Sequence, residues 1–160
     1  MPISIAIVDY GMGNQASVVH ALRGLDFRVK LADSPEGLND ADLLVLPGVG
    51  AYPAAMQALR ERDLVDYLQL QALDGRPILG ICLGMQLLAE ASHEHGRTSG
   101  LGLIPGEFVA FPNGDWHIGW NIITCRGDEP LLAGVNGEAF YFNHSYRYKG
   151  PEQVQVAHVG

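Results

Sequence analysis

Cys82 sits between two glycines in the run Gly80-Ile81-Cys82-Leu83-Gly84. The apolar Pro77-Ile78-Leu79 before it reads as a buried strand, and Met85-Gln86-Leu87-Leu88-Ala89-Glu90 after it as a helix. A cysteine on a sharp strand-to-helix turn is the arrangement of a nucleophile elbow, in which the turn projects the side chain into an open site and flanking glycines admit neighbouring backbone. The helix start beyond it offers free N–H groups and a partial positive charge, which suit a thiolate and a developing oxyanion. A lone cysteine in an apolar run is otherwise a core residue; the paired glycines favour the nucleophile. Such a nucleophile needs a base, an orienter for that base and donors for the oxyanion. Pro47-Gly48-Val49-Gly50, following another buried run, can aim a backbone N–H at Cys82, with the Leu83 N–H as second donor, although by itself such a loop reads as a tight turn. Gln86 lies one helical turn beyond Cys82 on the same face, within reach of a substrate held there.

The elements that must hold these residues alternate. Residues 3–8 form an apolar run, 9–14 a turn-rich loop, and 15–25 carry helical spacing in Val18, Ala21, Leu22 and Leu25, with Asn14 as N-cap. Strands are expected at 27–31 and 43–46, and helices at 53–60 and 64–73. This order predicts an α/β fold: an open, mainly parallel, flavodoxin-like sheet with helices on both faces and chemistry at the carboxyl ends of its strands. Three loops fall at those ends: 9–14, 47–50 and the Cys82 elbow. After Gly100 the texture changes, with glycines and prolines punctuating short apolar runs at 108–110, 122–124, 139–142 and 154–157, which predicts an antiparallel, β-rich second half.

Composition narrows the function. The chain has 160 residues, 48% of them hydrophobic and 18% charged, which suits one soluble domain with a real core. Its net charge of −8, with 10 Lys and Arg against 18 Asp and Glu and no basic block, argues against a nucleic-acid or anionic-membrane partner. No signal peptide is evident and no apolar stretch approaches the ~18 residues of a membrane span. Two cysteines in unlike contexts, Cys82 and Cys125, point to a reducing cytoplasm rather than a disulfide framework. Nothing calls for a cofactor.

Five segments then carry a specific resemblance: Asp9-Tyr10-Gly11-Met12-Gly13-Asn14, Leu46-Pro47-Gly48-Val49-Gly50-Ala51, residues 80–88 around Cys82, His117-Ile118-Gly119-Trp120-Asn121, and Asn143-His144-Ser145-Tyr146. In this order they resemble the motifs of the glutaminase subunits of imidazole glycerol phosphate synthase, a family of class I glutamine amidotransferases in histidine biosynthesis. The resemblance implies that Cys82 attacks the glutamine side-chain amide, that Val49 and Leu83 supply the oxyanion hole, and that Gly50, Gln86, Glu94, Ser145 and Tyr146 contact the substrate. It further implies a heterodimer with a (β/α)₈-barrel cyclase subunit that receives the ammonia, with Asn14, Trp120 and Tyr141 near that interface.

One departure stands against this agreement. In the resembled family the base and its orienter come from a late His-Pro-Glu-Lys motif, which is absent from these residues. The expectation is therefore a single amidotransferase domain over 1–160 that is C-terminally incomplete and, alone, a poor glutaminase. Of the six histidines, His144 and His117 fall in motifs assigned to the substrate strand and the partner side, His93 and His95 flank Glu94 without a third ligand that would make a metal site, and His20 and His158 have no evident role. Cys125 reads as a strand residue. A catalytically inactive short paralogue that binds a partner, and an ammonia supplier to a different synthase, are the alternative readings.

Overall fold

Ile5, Ala6, Ile7 and Val8 are all buried, the signature of a strand covered on both faces. In the computed structural model, which describes residues 2–127 and 129–159, this strand, β1 (Ser4–Val8), lies inside a parallel sheet. Its neighbours are β2 (Arg28–Ala32), β3 (Leu43–Gly48) and β4 (Ile78–Cys82), in the order β2-β1-β3-β4. Alternate residues face opposite ways. Ile5, Ile7 and Val45 pack under Val18, Val19 and Leu22 of α1 (Gln15–Arg23). Ala6, Val8, Leu44 and Leu46 face a larger core built with α2 (Pro35–Leu38), α3 (Tyr52–Arg60), α4 (Leu64–Leu73) and α5 (Leu83–Leu87). Helices thus cover both faces, as the alternating pattern predicts. The expected Asn14 cap is present: its side chain accepts from the Ser17 N–H at 3.3 Å.

The helix expected over 85–90 is shorter and earlier. It spans Leu83–Leu87, and the chain then enters β5 (Ala89–Ser92), where Ala89, Ala91 and Ser92 are buried and Glu90 is exposed. A short apolar run fits either element, and here pairing decides: β5 runs parallel to β7 (Ile104–Ala110) and antiparallel to β6 (Thr98–Ser99), while β11 (Tyr146–Lys149) adds to the far side of β7. The second half is indeed β-rich, but several strands are displaced from their expected runs. Of the strand expected at 122–124, Ile122 ends β8 (His117–Ile122), which pairs antiparallel with β10 (Ala139–His144). The one expected at 154–157 is a 3₁₀ turn, Glu152–Val154, followed by β12 (Ala157–His158), which pairs with β9 (Thr124–Cys125). Cys125 is the strand residue expected. Among the described residues no helix is long and apolar enough to cross a membrane.

Candidate active site

Cys82 ends β4 and turns directly into α5 with φ 55° and ψ −119°. A residue with a Cβ holds such a conformation only under constraint, at a cost of about 1–3 kcal/mol. The constraint is visible in the glycines around it. A Cβ on Gly84 would collide with the Leu46 carbonyl, and one on Gly80 with the Met85 backbone, so α5 folds back tightly over the ends of β3 and β4. The thiol is exposed at this edge. Leu83 and Gly84 are buried directly behind it, and Gln86 is half-buried one turn on. Because α5 has only five residues, the charge assistance it lends is that of a single turn.

The Pro47–Gly50 loop stands beside this elbow. Register places Gly48 opposite Cys82 across the β3–β4 pair. A Cβ at Gly48 would lie 2.7 Å from the Gly84 nitrogen, 2.7 Å from the Tyr10 hydroxyl and 2.9 Å from Leu83 Cβ, so the two oxyanion candidates, Val49 and Leu83, flank a close backbone contact. Val49 is half exposed and Gly50 has φ 96°, so the loop swings outward just past the contact. Tyr10, absent from the sequence-level site, is fully buried here and donates its hydroxyl to the Pro47 carbonyl at 2.7 Å. Burial first, and the charge a Cys82 thiolate would bring second, push the Tyr10 phenol up, which keeps it protonated. Glu94 joins the same edge: its Oε2 accepts from the Tyr52 N–H at 2.7 Å, capping α3 two residues past Gly50 where Ala51 has no capping side chain.

The remaining candidates are held elsewhere. Ser145 lies between β10 and β11, with its carbonyl accepting from the Phe111 N–H, and Tyr146 pairs with Ala110. Trp120 and Tyr141 face each other across β8 and β10 with ring centroids 5.6 Å apart, both solvent-exposed. Asn14 is engaged as the cap of α1. Among the described residues no hydrogen bond joins these groups to the Cys82 edge.

Three of the histidines are engaged with partners other than Cys82. His93 Nε2 lies 2.7 Å from Glu107 Oε2, an exposed pair that, with Arg97, holds the Glu107 carboxyl below its usual range. His117 Nδ1 meets His144 Nε2 at 3.1 Å, His117 Nε2 meets Asn121 Oδ1 at 2.8 Å, and His144 Nδ1 donates to the Tyr146 carbonyl at 2.8 Å. No group of three or more His, Cys, Asp or Glu among the described residues is placed to hold a metal ion. Two open hollows, of about 280 and 340 Å³, are lined by residues between 125 and 156, none from the Cys82 edge. The candidate site is a ledge open to solvent: a strained thiol, a glycine loop beside it and a short helix behind it.

Residues 6–159 match the family model described as "Glutamine amidotransferase class-I". The chain belongs to the class I glutamine amidotransferase family. Among similar proteins are those named imidazole glycerol phosphate synthase subunit HisH of Streptococcus gordonii, 44% identical over 92% of this chain and 73% of that protein, and of Listeria monocytogenes serotype 4a, 43% identical over 98% and 77%. The fold agrees with a solved structure titled as PurLQS from Thermotoga maritima, with a TM-score of 0.73 at 22% identity over 99% of this chain and 75% of that one. A structure titled as a glutamine amidotransferase gives a TM-score of 0.70 at 17% identity over 91% and 73%.

Proposed function

We propose that this chain is the glutaminase subunit of a heterodimeric imidazole glycerol phosphate synthase, a cytoplasmic lyase of histidine biosynthesis, and that residues 1–160 belong to one amidotransferase domain. The observation that carries the reading is Cys82 held at positive φ on the elbow directly beside Gly48. Its thiolate attacks the carboxamide carbon of glutamine; the negative oxygen that forms is received by the Val49 and Leu83 N–H groups. Collapse of that adduct, with a proton delivered to the nitrogen, expels ammonia and leaves a glutamyl thioester on Cys82, and water then cleaves the thioester to release glutamate. Gly50, Gln86, Glu94, Ser145 and Tyr146 hold the amino-acid end of the substrate. Ammonia passes to a (β/α)₈-barrel cyclase subunit docked over Asn14, Trp120 and Tyr141. The 42–44% identity to proteins named as subunits of that synthase supports this assignment over supply of a different acceptor.

A diazoketone analogue of glutamine tests the site. It should add once, at Cys82, with a rate that saturates and is slowed by free glutamine, and should not label Cys82→Ala. Unsaturable labelling shared between Cys82 and Cys125 would defeat the reading. Turnover is a separate matter, because His93, His117 and His144 are bonded away from Cys82 and a missing general base typically costs about 10²–10⁴-fold. The purified 160-residue chain should therefore release ammonia from glutamine only at that depressed level. Brisk release that disappears in Cys82→Ala would show that another group here takes the proton.

A further inference from the structure

Resting on the reading of Cys82 and Val49 given above, we infer that Tyr10 is a positioning residue for the oxyanion donors, acting through the Pro47–Gly48 peptide. Tyr10 lies just past the end of β1, is completely buried, and reaches across 37 residues of sequence to donate its hydroxyl to the Pro47 carbonyl at 2.7 Å. That carbonyl and the Gly48 N–H belong to one peptide plane, so holding the oxygen fixes the plane. Gly48 is the register partner of Cys82, and the space where its Cβ would stand is taken by the Tyr10 hydroxyl, the Gly84 nitrogen and Leu83 Cβ. A larger residue there would force β3 away from the elbow.

The consequence is a boundary in the loop. Up to Gly48 the backbone is clamped by Tyr10 and by the sheet; from Val49 onward it is exposed and turns through the positive φ of Gly50. Any adjustment that brings the Val49 N–H onto a forming oxyanion must pivot at Gly48, and the hydroxyl of Tyr10 sets where that pivot stands. Desolvation keeps the phenol protonated, so the donor persists whether Cys82 is thiol or thiolate. A phenol present only to fill the core would serve equally well without its oxygen.

Tyr10→Phe removes that oxygen and keeps the ring. The measurement is inactivation by the glutamine-like diazoketone, followed by intact mass, which separates the saturation constant from the maximal rate at saturation. Iodoacetamide alkylation of Cys82 serves as a control that needs no oxyanion hole. Tyr10→Phe should lower the maximal rate by about tenfold, a fraction of the 10²–10³ seen on losing an oxyanion donor outright. The saturation constant and the iodoacetamide rate should stay within about twofold, as expected for a group acting on the reacting geometry rather than on binding. An unchanged maximal rate, or equal losses with both reagents, overturns the inference while leaving the site reading intact. Absence of saturation in the wild-type chain defeats the site reading itself and the inference with it. Hydrogen exchange in the unaltered protein is independent of whether the variant folds: the Gly48 amide should be protected and the Val49 amide fast, and a Gly48 amide exchanging as fast as Val49 overturns the clamp.

Discussion

Cys82 combines an exposed thiol with a backbone that resists any side chain, and the two properties have one origin. The turn that lifts the sulfur clear of the sheet requires the positive φ, and close packing of Gly84 against Leu46 prevents it from relaxing. Strain of this kind is stored where function needs it and is released when the residue is exchanged for one that tolerates the conformation. Cys82→Gly and Cys82→Ala should both abolish diazoketone labelling. Their stabilities should differ, with Cys82→Gly more stable than Cys82→Ala by about 1 kcal/mol in urea denaturation, because glycine adopts this φ freely. Equal midpoints would mean that the elbow is not under strain.

At the scale of elements, the site depends on β1 and β3 staying in register so that Tyr10 meets Pro47, and a clip at the opposite end of the sheet holds them. The Asp42 carboxylate accepts from both the backbone N–H and the hydroxyl of Ser4, at 2.7 and 2.8 Å. These bonds, the backbone one foremost, hold the Asp42 carboxyl below its ordinary value. A depressed folded value contributes stability that is complete above the unfolded value, about 3.9, and is lost as pH falls through the folded one. Asp42→Asn should therefore lower the melting temperature by a few degrees at neutral pH, with the deficit shrinking below about pH 4. A deficit that persists in acid would place its cause outside ionisation. Neither the clip nor the Tyr10 contact was legible in the sequence, since each joins residues more than thirty positions apart. What was legible is local. The apolar runs of β1 and β3, the bounds of α4, the Asn14 cap and the elbow glycines all follow from spacing and turn chemistry. Ala89 and Glu90, expected at the end of the helix, belong instead to β5, whose identity is fixed by pairing with β7 and β6. β8 lay before its expected run because its exposed apolar residues alternate around Gly119 and Asn121, with no continuous apolar stretch to mark it.

Across the whole molecule, β8 and β10 present two faces of opposite character. His117 and Asn121 turn to one side, bonded to each other and onward through His144 to the Tyr146 carbonyl. On the other side Ile118, Trp120 and Ile122, with Trp116 just before the strand and Tyr141 opposite Trp120, are each more than half exposed. Single exposed hydrophobes are ordinary, but five large ones on one face of a two-stranded ribbon form a patch of the kind that docking surfaces use. Paired aromatics are the residues on which binding energy concentrates, and Trp120 is 72% exposed, so little of the folded chain depends on it. On the proposed function, Trp120→Ala should weaken binding of the cyclase partner by about 2 kcal/mol, roughly thirtyfold in Kd by calorimetry, while leaving the melting temperature unchanged. Leu73→Ala supplies the control: Leu73 is 82% exposed on α4, outside this ribbon, and its loss should alter neither quantity. If both substitutions leave the Kd unchanged, the exposed face of the β8–β10 ribbon is not where the cyclase docks. If both weaken binding equally, the contact is general apolar adhesion, and the cross-strand pair has no special place in it.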